Sequence, residues 1–277
     1  MLGLRKGTAI PAAEDFDIAY LKPLIQKRIV VPLIDAAGFE DVSGEDQYSQ
    51  NTKTIKRLNI KGLPEYRLMF EEGHEFYREL DKLESFKAWD WIIGDTDGNW
   101  MLVKKSNGDF KGFEAGHVTP ELTTRQVEGG DPEKKSLLIQ FLNRLEWDRN
   151  YEILHVEELT MTPQELPQIN GVEITFDAAP ADTDTTFGIT VVLASDRNTG
   201  VEGLLAADFK LQVDGVDEAI TNVVDNGGGS YTFTVAAMTA AEVLTLTTYH
   251  AATATTVADS NDVLYASVET ATEVVTA

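Results

Sequence analysis

The stretch WDWIIGDTDGNWMLVKKSNGDFKGFEA, Trp89 to Ala115, decides how the chain folds. Trp89, Trp91 and Ile93 fall at every second position, the period that places side chains on one face of a β-strand. Gly94-Asp95-Thr96-Asp97-Gly98 turns the chain, and Trp100 and Leu102 run back. Ser106-Asn107-Gly108-Asp109 turns it again, Asn-Gly being the strongest short hairpin signal. Phe110 to Ala115 is then the third strand of a meander.

Upstream, residues 1–13 read as a flexible arm. Asp15 or Asp17 caps a short amphipathic helix carrying Ile18, Leu21 and Ile25, with Pro23 awkwardly beyond its first turn. Ile29 to Ile34 is β-branched and contains Pro32, which marks an edge strand. Ala36 to Asn51 is polar and acidic and reads as a long loop. Thr52 to Asn59 and Tyr66 to Phe70 alternate as strands. Phe76, Tyr77, Leu80 and Leu83 change the period to that of a helix, spanning His74–Phe86 and packed on the sheet. Downstream, His117 to Val127 and Ser136 to Trp147 read as longer strands around Gly129-Gly130-Asp131-Pro132. Tyr151 to Leu159 is a further strand.

The composition breaks near residue 165. After Glu165 only Arg197 and Lys210 are basic, and Thr, Ala, Val and Asp take over. Residues 161–170, with Pro163 and Pro167, form the linker between a first domain, 1–160, and a second, 171–277. Seven short alternating runs follow: Val172–Phe176, Ile189–Leu193, Phe209–Val213, Ala219–Val224, Tyr231–Val235, Leu244–Leu246 and Val263–Val268. Asp214-Gly215 and Asn226-Gly227-Gly228-Gly229 supply turns. The pattern is that of an immunoglobulin-like sandwich without its disulfide. The fold class is therefore mainly β: a β-sandwich or barrel with one packed α-helix, then a second β-sandwich.

The 277 residues hold no cysteine, which excludes disulfides and thiolate metal sites. A net charge of -23 argues against a nucleic-acid-binding face. Residues 1–13 lack the apolar core of a secretory signal, and no apolar run approaches a membrane span. Asp95-Thr96-Asp97-Gly98-Asn99 resembles the start of a calcium loop, but Trp100 and Ser106 stand where glycine and glutamate are needed; the turn reading fits better. His74, His117, His155 and His250 fall in different elements without metal-ligand spacing. Asp90 between two tryptophans is the one carboxylate suggesting a sugar site. Alternation places the tryptophans in the core and Asp90 in solvent. No nucleophile elbow, phosphate loop or dinucleotide fingerprint is present, and Gly228-Gly229-Ser230 is a turn entering a strand. The expectation is no enzyme and no cofactor.

The order of a flexible arm, the acidic segment Ala36–Asn51, sandwich strands broken by the helix His74–Phe86, and a Gly-Asn-rich meander resembles phage tail-tube and related virion proteins. The segment from Val172, with Gly229-Ser230-Tyr231-Thr232-Phe233-Thr234-Val235, is similar to bacterial and phage Ig-like modules. The resemblance implies a virion subunit made in the host cytoplasm. Its rings would stack into a tube, beside other tail proteins, with the Ig-like domain displayed outside. It implies inter-subunit contacts at Ala37, Phe39, Glu40, Asp41 and Tyr48. It also implies a lumen lined by Glu45, Asp46, Asp109, Glu114, Glu128 and Asp131, past which DNA moves without binding. A host-surface glycan is the partner expected for the Ig-like domain, and no membrane is. One competing reading is a carbohydrate-binding adhesin using Trp89, Trp91 and Trp100. The other is a glycan-acting hydrolase using Asp90 with a second acid in a cleft.

Overall fold

The computed structural model describes residues 1–11, 16–34, 36–50, 56–60, 62–124, 133–159 and 161–277. It is 46% strand and 13% helix, and so mainly β, as the alternation predicts. Two compact units divide it: Met1–Leu21 with Ile29–Leu166, and Lys22–Arg28 with Pro167–Ala277. Among the described residues no helix is long and apolar enough to cross a membrane.

In chain order the elements begin with β1 (Leu2–Arg5), α1 (Ile18–Gln26), β2 (Val30–Pro32), β3 (Gly38–Asp41), β4 (Gln47–Gln50), β5 (Lys56–Ile60) and β6 (Glu65–Phe70). Then come α2 (His74–Asp81), β7 (Ser85–Phe86), β8 (Trp89–Gly94), β9 (Trp100–Lys104), β10 (Phe110–Lys111) and β11 (Phe113–Pro120). The first unit ends with β12 (Lys135–Phe141), α3 (Arg144–Arg149) and β13 (Tyr151–Leu154). Its main sheet runs β10-β9-β8-β11-β12-β6-β3; β1 also joins β8, β2 joins β1, β13 joins β9 and β7 joins β11. The β4–β5 hairpin stands apart as a two-stranded ladder.

The meander forms as the sequence demands. Asp95 Oδ1 accepts the backbone N–H groups of Asp97 (2.9 Å) and Asn99 (2.8 Å), and Oδ2 accepts Asn99 Nδ2 (2.8 Å), which closes the β8–β9 turn. Strand β12 alternates strictly, burying Leu137, Ile139 and Phe141. Helix α2 buries Tyr77 and Leu80, and the Tyr77 hydroxyl donates to the Glu133 carbonyl at 2.7 Å. Each fully buried residue of this kind contributes about 1.5–3 kcal/mol. The Tyr20 N–H donates to Asp17 Oδ1 at 2.6 Å, so Asp17 caps α1, which carries Pro23 inside it.

Four expectations are corrected. Residues 1–13 are not a free arm, because β1 pairs with β2 and β8 and buries Leu2 and Leu4 completely. Ala36–Asn51 is not one long loop, because β3 pairs with β6 and β4 with β5. The helix from His74 stops at Asp81, and Ser85–Phe86 joins the sheet as β7. The strand expected to reach Trp147 ends at Phe141. Asn143 Oδ1 accepts the Leu145 N–H at 3.1 Å and starts α3 instead.

The second unit is a two-sheet sandwich. One sheet runs β18 (Asn222–Gly227), β19 (Ser230–Thr234), β15 (Thr186–Leu193), β14 (Ile169–Phe176), β22 (Val263–Ser267), β21 (Val257–Ser260). The other runs β17 (Val216–Glu218), β16 (Phe209–Val213), β20 (Val243–Thr248), β23 (Ala271–Val274). Phe209 of one sheet meets Phe233 of the other edge-on, with centroids 5.0 Å apart. Pair β14–β22 is parallel and the rest are antiparallel. Strands β21 and β23 escaped the sequence reading, since each is four residues long. Lys22 pairs inside this unit with Asp259 at 2.8 Å and Asp262 at 3.0 Å.

Two glycines of this sandwich separate strain from collision. Gly229 and Gly215 both have positive φ, +81° and +80°. A Cβ at Gly229 would lie 2.3 Å from the Val191 carbonyl oxygen, whereas one at Gly215 would meet open space. Gly215→Ala is expected to cost about 1 kcal/mol, and Gly229→Ala at least twice that, in thermal melts of the second unit. Equal costs would show that backbone crowding at Gly229 is relieved.

Candidate functional site

Strand β8 organises the chemistry of the first unit. Its register sets Leu4 and Glu114 opposite Asp90, and Gly3 and Phe113 opposite Trp91. Opposed residues share a face, so Trp91 lies over Gly3, where a Cβ would come within 2.9 Å of the indole. Trp89, Trp91 and Trp100 are all buried. The tryptophans are core residues, as alternation predicts, so their expected role as glycan contacts is corrected.

Asp90 is also buried, at 4% exposure, which corrects its expected place in solvent. Strand β8 is covered on both faces, so alternation cannot send any of its first four side chains to water. Two ion pairs flank Asp90. Lys6 binds Glu114. Lys111 Nζ donates to Glu146 Oε1 at 2.6 Å, and the Glu114 N–H donates to Glu146 Oε2 at 3.0 Å. Glu146 is itself buried. Asp90 Oδ1 has no hydrogen-bond partner. Burial pushes the Asp90 carboxyl up to about 6; Lys111 opposes the rise, and Glu114 and Glu146 add to it. Glu114 is held below its ordinary value by the hydrogen bond from Lys6.

This arrangement does not support the hydrolase expectation. Asp90 lines neither the hollow of about 300 Å³ nor the one of about 350 Å³ described below, and both neighbouring carboxylates are already paired. Among the described residues no three His, Asp or Glu side chains converge as metal ligands.

One hollow, of about 300 Å³, belongs to the first unit and is lined by Asp46, Tyr66, Arg144, Trp147 and Asp148. Asp46 Oδ1 accepts both the Gly62 N–H at 2.8 Å and Arg144 Nη1 at 2.5 Å. The other, of about 350 Å³, belongs to the second unit and is lined by Phe209, Lys210, Asp217, Glu218, Ile220 and Tyr249. Lys210 Nζ lies 5.7 Å from the Tyr249 ring centre and 2.9 Å from Asp217 Oδ2. Hydrogen bonds from Gln212 and Lys210 hold Asp217 below the ordinary carboxylate range.

The residues expected at subunit contacts lie on or beside one edge. Ala37 is exposed, and Phe39, Glu40 and Asp41 are on β3, which pairs only with β6 among the described residues. Phe39 is 54% exposed and its ring sits 4.8 Å from that of Tyr66. Glu40 accepts Arg67 Nη1 at 2.6 Å, and Asp41 accepts the Ser43 N–H at 2.9 Å. Tyr48 is on β4, opposite Leu58 of β5. The acidic candidates are scattered. Glu45 is exposed, Asp46 is bound by Arg144, Asp109 is half-buried at the β9–β10 turn, and Glu114 is bound by Lys6. Glu128 and Asp131 lie outside the described residues.

Lys6, Lys111 and Glu146 were missed from sequence. Asn143-Arg144-Leu145-Glu146 did carry a signal, an N-cap residue followed three places later by glutamate, which opens a helix rather than continuing a strand.

No family model matches the chain, and no curated protein matches it. Among solved structures the chain is similar to the surface glycan-binding protein SGBP-B of the Bacteroides ovatus mixed-linkage glucan utilization locus, in complex with a mixed-linkage heptasaccharide. The identity is 12%, over 89% of this chain and 61% of that one, with a TM-score of 0.23. Those figures do not establish a shared fold.

The Glu146 carboxylate holds three elements at once. Glu146→Ala would leave Lys111 unpaired in a half-buried setting and the Glu114 N–H without its acceptor. It is expected to cost the first unit about 3 kcal/mol in denaturant unfolding, with Glu146→Gln losing less. A cost below about 1 kcal/mol for the alanine variant would show that the network is dispensable.

Proposed function

We propose that the chain is a non-enzymatic structural subunit that assembles with copies of itself, in the manner of the virion tail-tube proteins it resembles, with the second unit as an added module. The open edge of the first unit's sheet carries this reading. Among the described residues strand β3 leaves one row of backbone donors and acceptors without a paired strand, and three of its four residues are exposed, Phe39 among them. Strand β13, elsewhere in the same sheet, pairs only with β9 among the described residues and exposes Tyr151 and Ile153. A soluble monomer protects such edges with charge, proline or a covering loop. Two unlike edges on one subunit, each with an exposed aromatic residue, favour head-to-tail contacts, the geometry that closes into rings. Repetition around a ring would multiply acids such as the exposed Glu45 and the half-buried Asp109 into a wall that repels phosphate.

Phe39→Asp is expected to leave a folded subunit, at a cost of about 1 kcal/mol for the lost ring contact, and to abolish assembly. The control Leu205→Asp, at a residue 67% exposed in the second unit, is expected to assemble as wild type does. Sedimentation velocity and negative-stain microscopy read the result. A wild-type chain that stays monomeric at high concentration, or a Phe39→Asp variant that assembles normally, would overturn this reading.

A second reading rests on the hollow of the second unit. An aromatic ring, a cation and two carboxylates beside an apolar floor suit a neutral saccharide, whose hydroxyls satisfy charged groups while a sugar face covers Tyr249. Glycan-array binding by the full chain, weakened about tenfold or more in Tyr249→Ala, is the expected result. Equal binding by the variant, or no binding by the wild type, would remove this site from consideration.

A further inference from the structure

We propose that Asp90 is a proton-operated latch: as the neutral acid it lets β1, β11 and α3 close on β8, and as the carboxylate it loosens them. The argument starts from a count of charges in one place. Three carboxylates, Asp90, Glu114 and Glu146, share the site with two lysines. Lys6 takes Glu114, and Lys111 takes Glu146. Asp90 is left without a cation, nine-tenths buried, with one oxygen unpartnered.

The charged groups facing Asp90 come from every element around it. Lys6 follows β1, Lys111 is on β10, Glu114 is on β11 and Glu146 is on α3. Arg5 does not join them, because its guanidinium lies 5.4 Å over the Trp89 ring and Trp89 belongs to the other face. Lys87 acts on Glu114. Among the groups that act on Asp90 itself, which do not include Lys87, the balance is one excess negative charge with Asp90 ionised and neutral with Asp90 protonated. A buried excess charge is opposed by desolvation, so the closed arrangement prefers the neutral acid.

The sign follows from linkage. The Asp90 carboxyl rises from 3.8 in the unfolded chain to about 6 in the fold. The stabilisation it gives is fully present below 3.8 and is lost as pH rises through about 6. Glu114 runs the opposite way, being depressed, and its contribution is lost only as pH falls through its own lowered value. In the interval from pH 5 to 7.5 the buried Met1 ammonium before β1, lowered to about 6, acts with the opposite sign, so the comparison with Asp90→Asn, rather than the interval alone, isolates Asp90. A shift of this size corresponds to about a hundredfold in the closed-to-open ratio at most.

The first measurement is hydrogen exchange of the full chain at pH 5, 6 and 7.5, corrected for intrinsic rates. Peptides covering Leu2–Arg5 and Arg144–Arg149 are expected to open severalfold more at pH 7.5 than at pH 5, with about tenfold as the ceiling over this interval. Strand β19 of the second unit, far from Asp90 in sequence and in a separate core, serves as the internal control and is expected to stay level. In Asp90→Asn the rise in opening of the β1 and α3 peptides from pH 5 to 7.5 is expected to be lost. An identical pH response in wild type and Asp90→Asn overturns the proposal, and so does an equal change in the control strand. If Asp90→Asn does not fold, the carboxyl carbons of aspartate-labelled wild type decide. A resonance titrating near 6 that tracks the opening supports the latch, and the absence of any aspartate titrating above 5 overturns it. Neither experiment depends on assembly or on glycan, so failure here leaves the proposed function standing.

Discussion

A strand with both faces covered must find a place inside protein for every polar side chain it carries, and β8 is such a strand. Trp89 and Trp91 on one face meet the aromatic core of Phe113, Phe141 and Trp147. Asp90 and Ile92 on the other face meet Leu2 and Leu4 of β1. Along its edges β8 pairs with β1, β9 and β11. Even the close approach of the next chain segment depends on it. A Cβ at Gly112 would sit 2.4 Å from the Trp91 backbone nitrogen, so glycine alone fits between β10 and β11. The ion pairs of Lys6, Lys111 and Glu146 then follow from having to surround one acid in a dry place.

Much of the fold was legible because alternation and turn chemistry are local. The meander, the capped helix at Asp17, the α2 stripe and most strands of the second sandwich need only neighbouring residues to be seen. What was illegible required distant partners. Leu2-Gly3-Leu4 is too short to show a period, and only pairing with both Val30–Pro32 and Trp89–Ile92 makes it a strand. The polarity of Gly38–Asp41 looks like a loop because its strand is an edge with its outer face in water. Asp90 shows the same limit. Period two says which side a residue faces, and only the tertiary fold says whether that side is wet.

The candidate sites divide the same way. Phe39, Glu40 and Asp41 were named from their segment and lie together on one edge. Glu45, Asp46, Asp109 and Glu114 were named for charge alone, and the fold scatters them and neutralises two. Charge is a property of composition, but a field is a property of arrangement. An acidic residue counts toward a repelling surface only when no lysine or arginine has been folded against it.

The position of β1 has a consequence for how the chain is made. Leu2 lies between Pro32 and Ile92 in the finished sheet, so β1, synthesised well before β8, completes its second edge only after β8 has followed. Until then Leu2 and Leu4 are exposed apolar residues on a strand with one open edge. Pairing across so long a stretch of sequence carries a large loop-closure entropy and slows the search. The first unit therefore has a vulnerable interval during synthesis, which ends when Trp91 settles over Gly3.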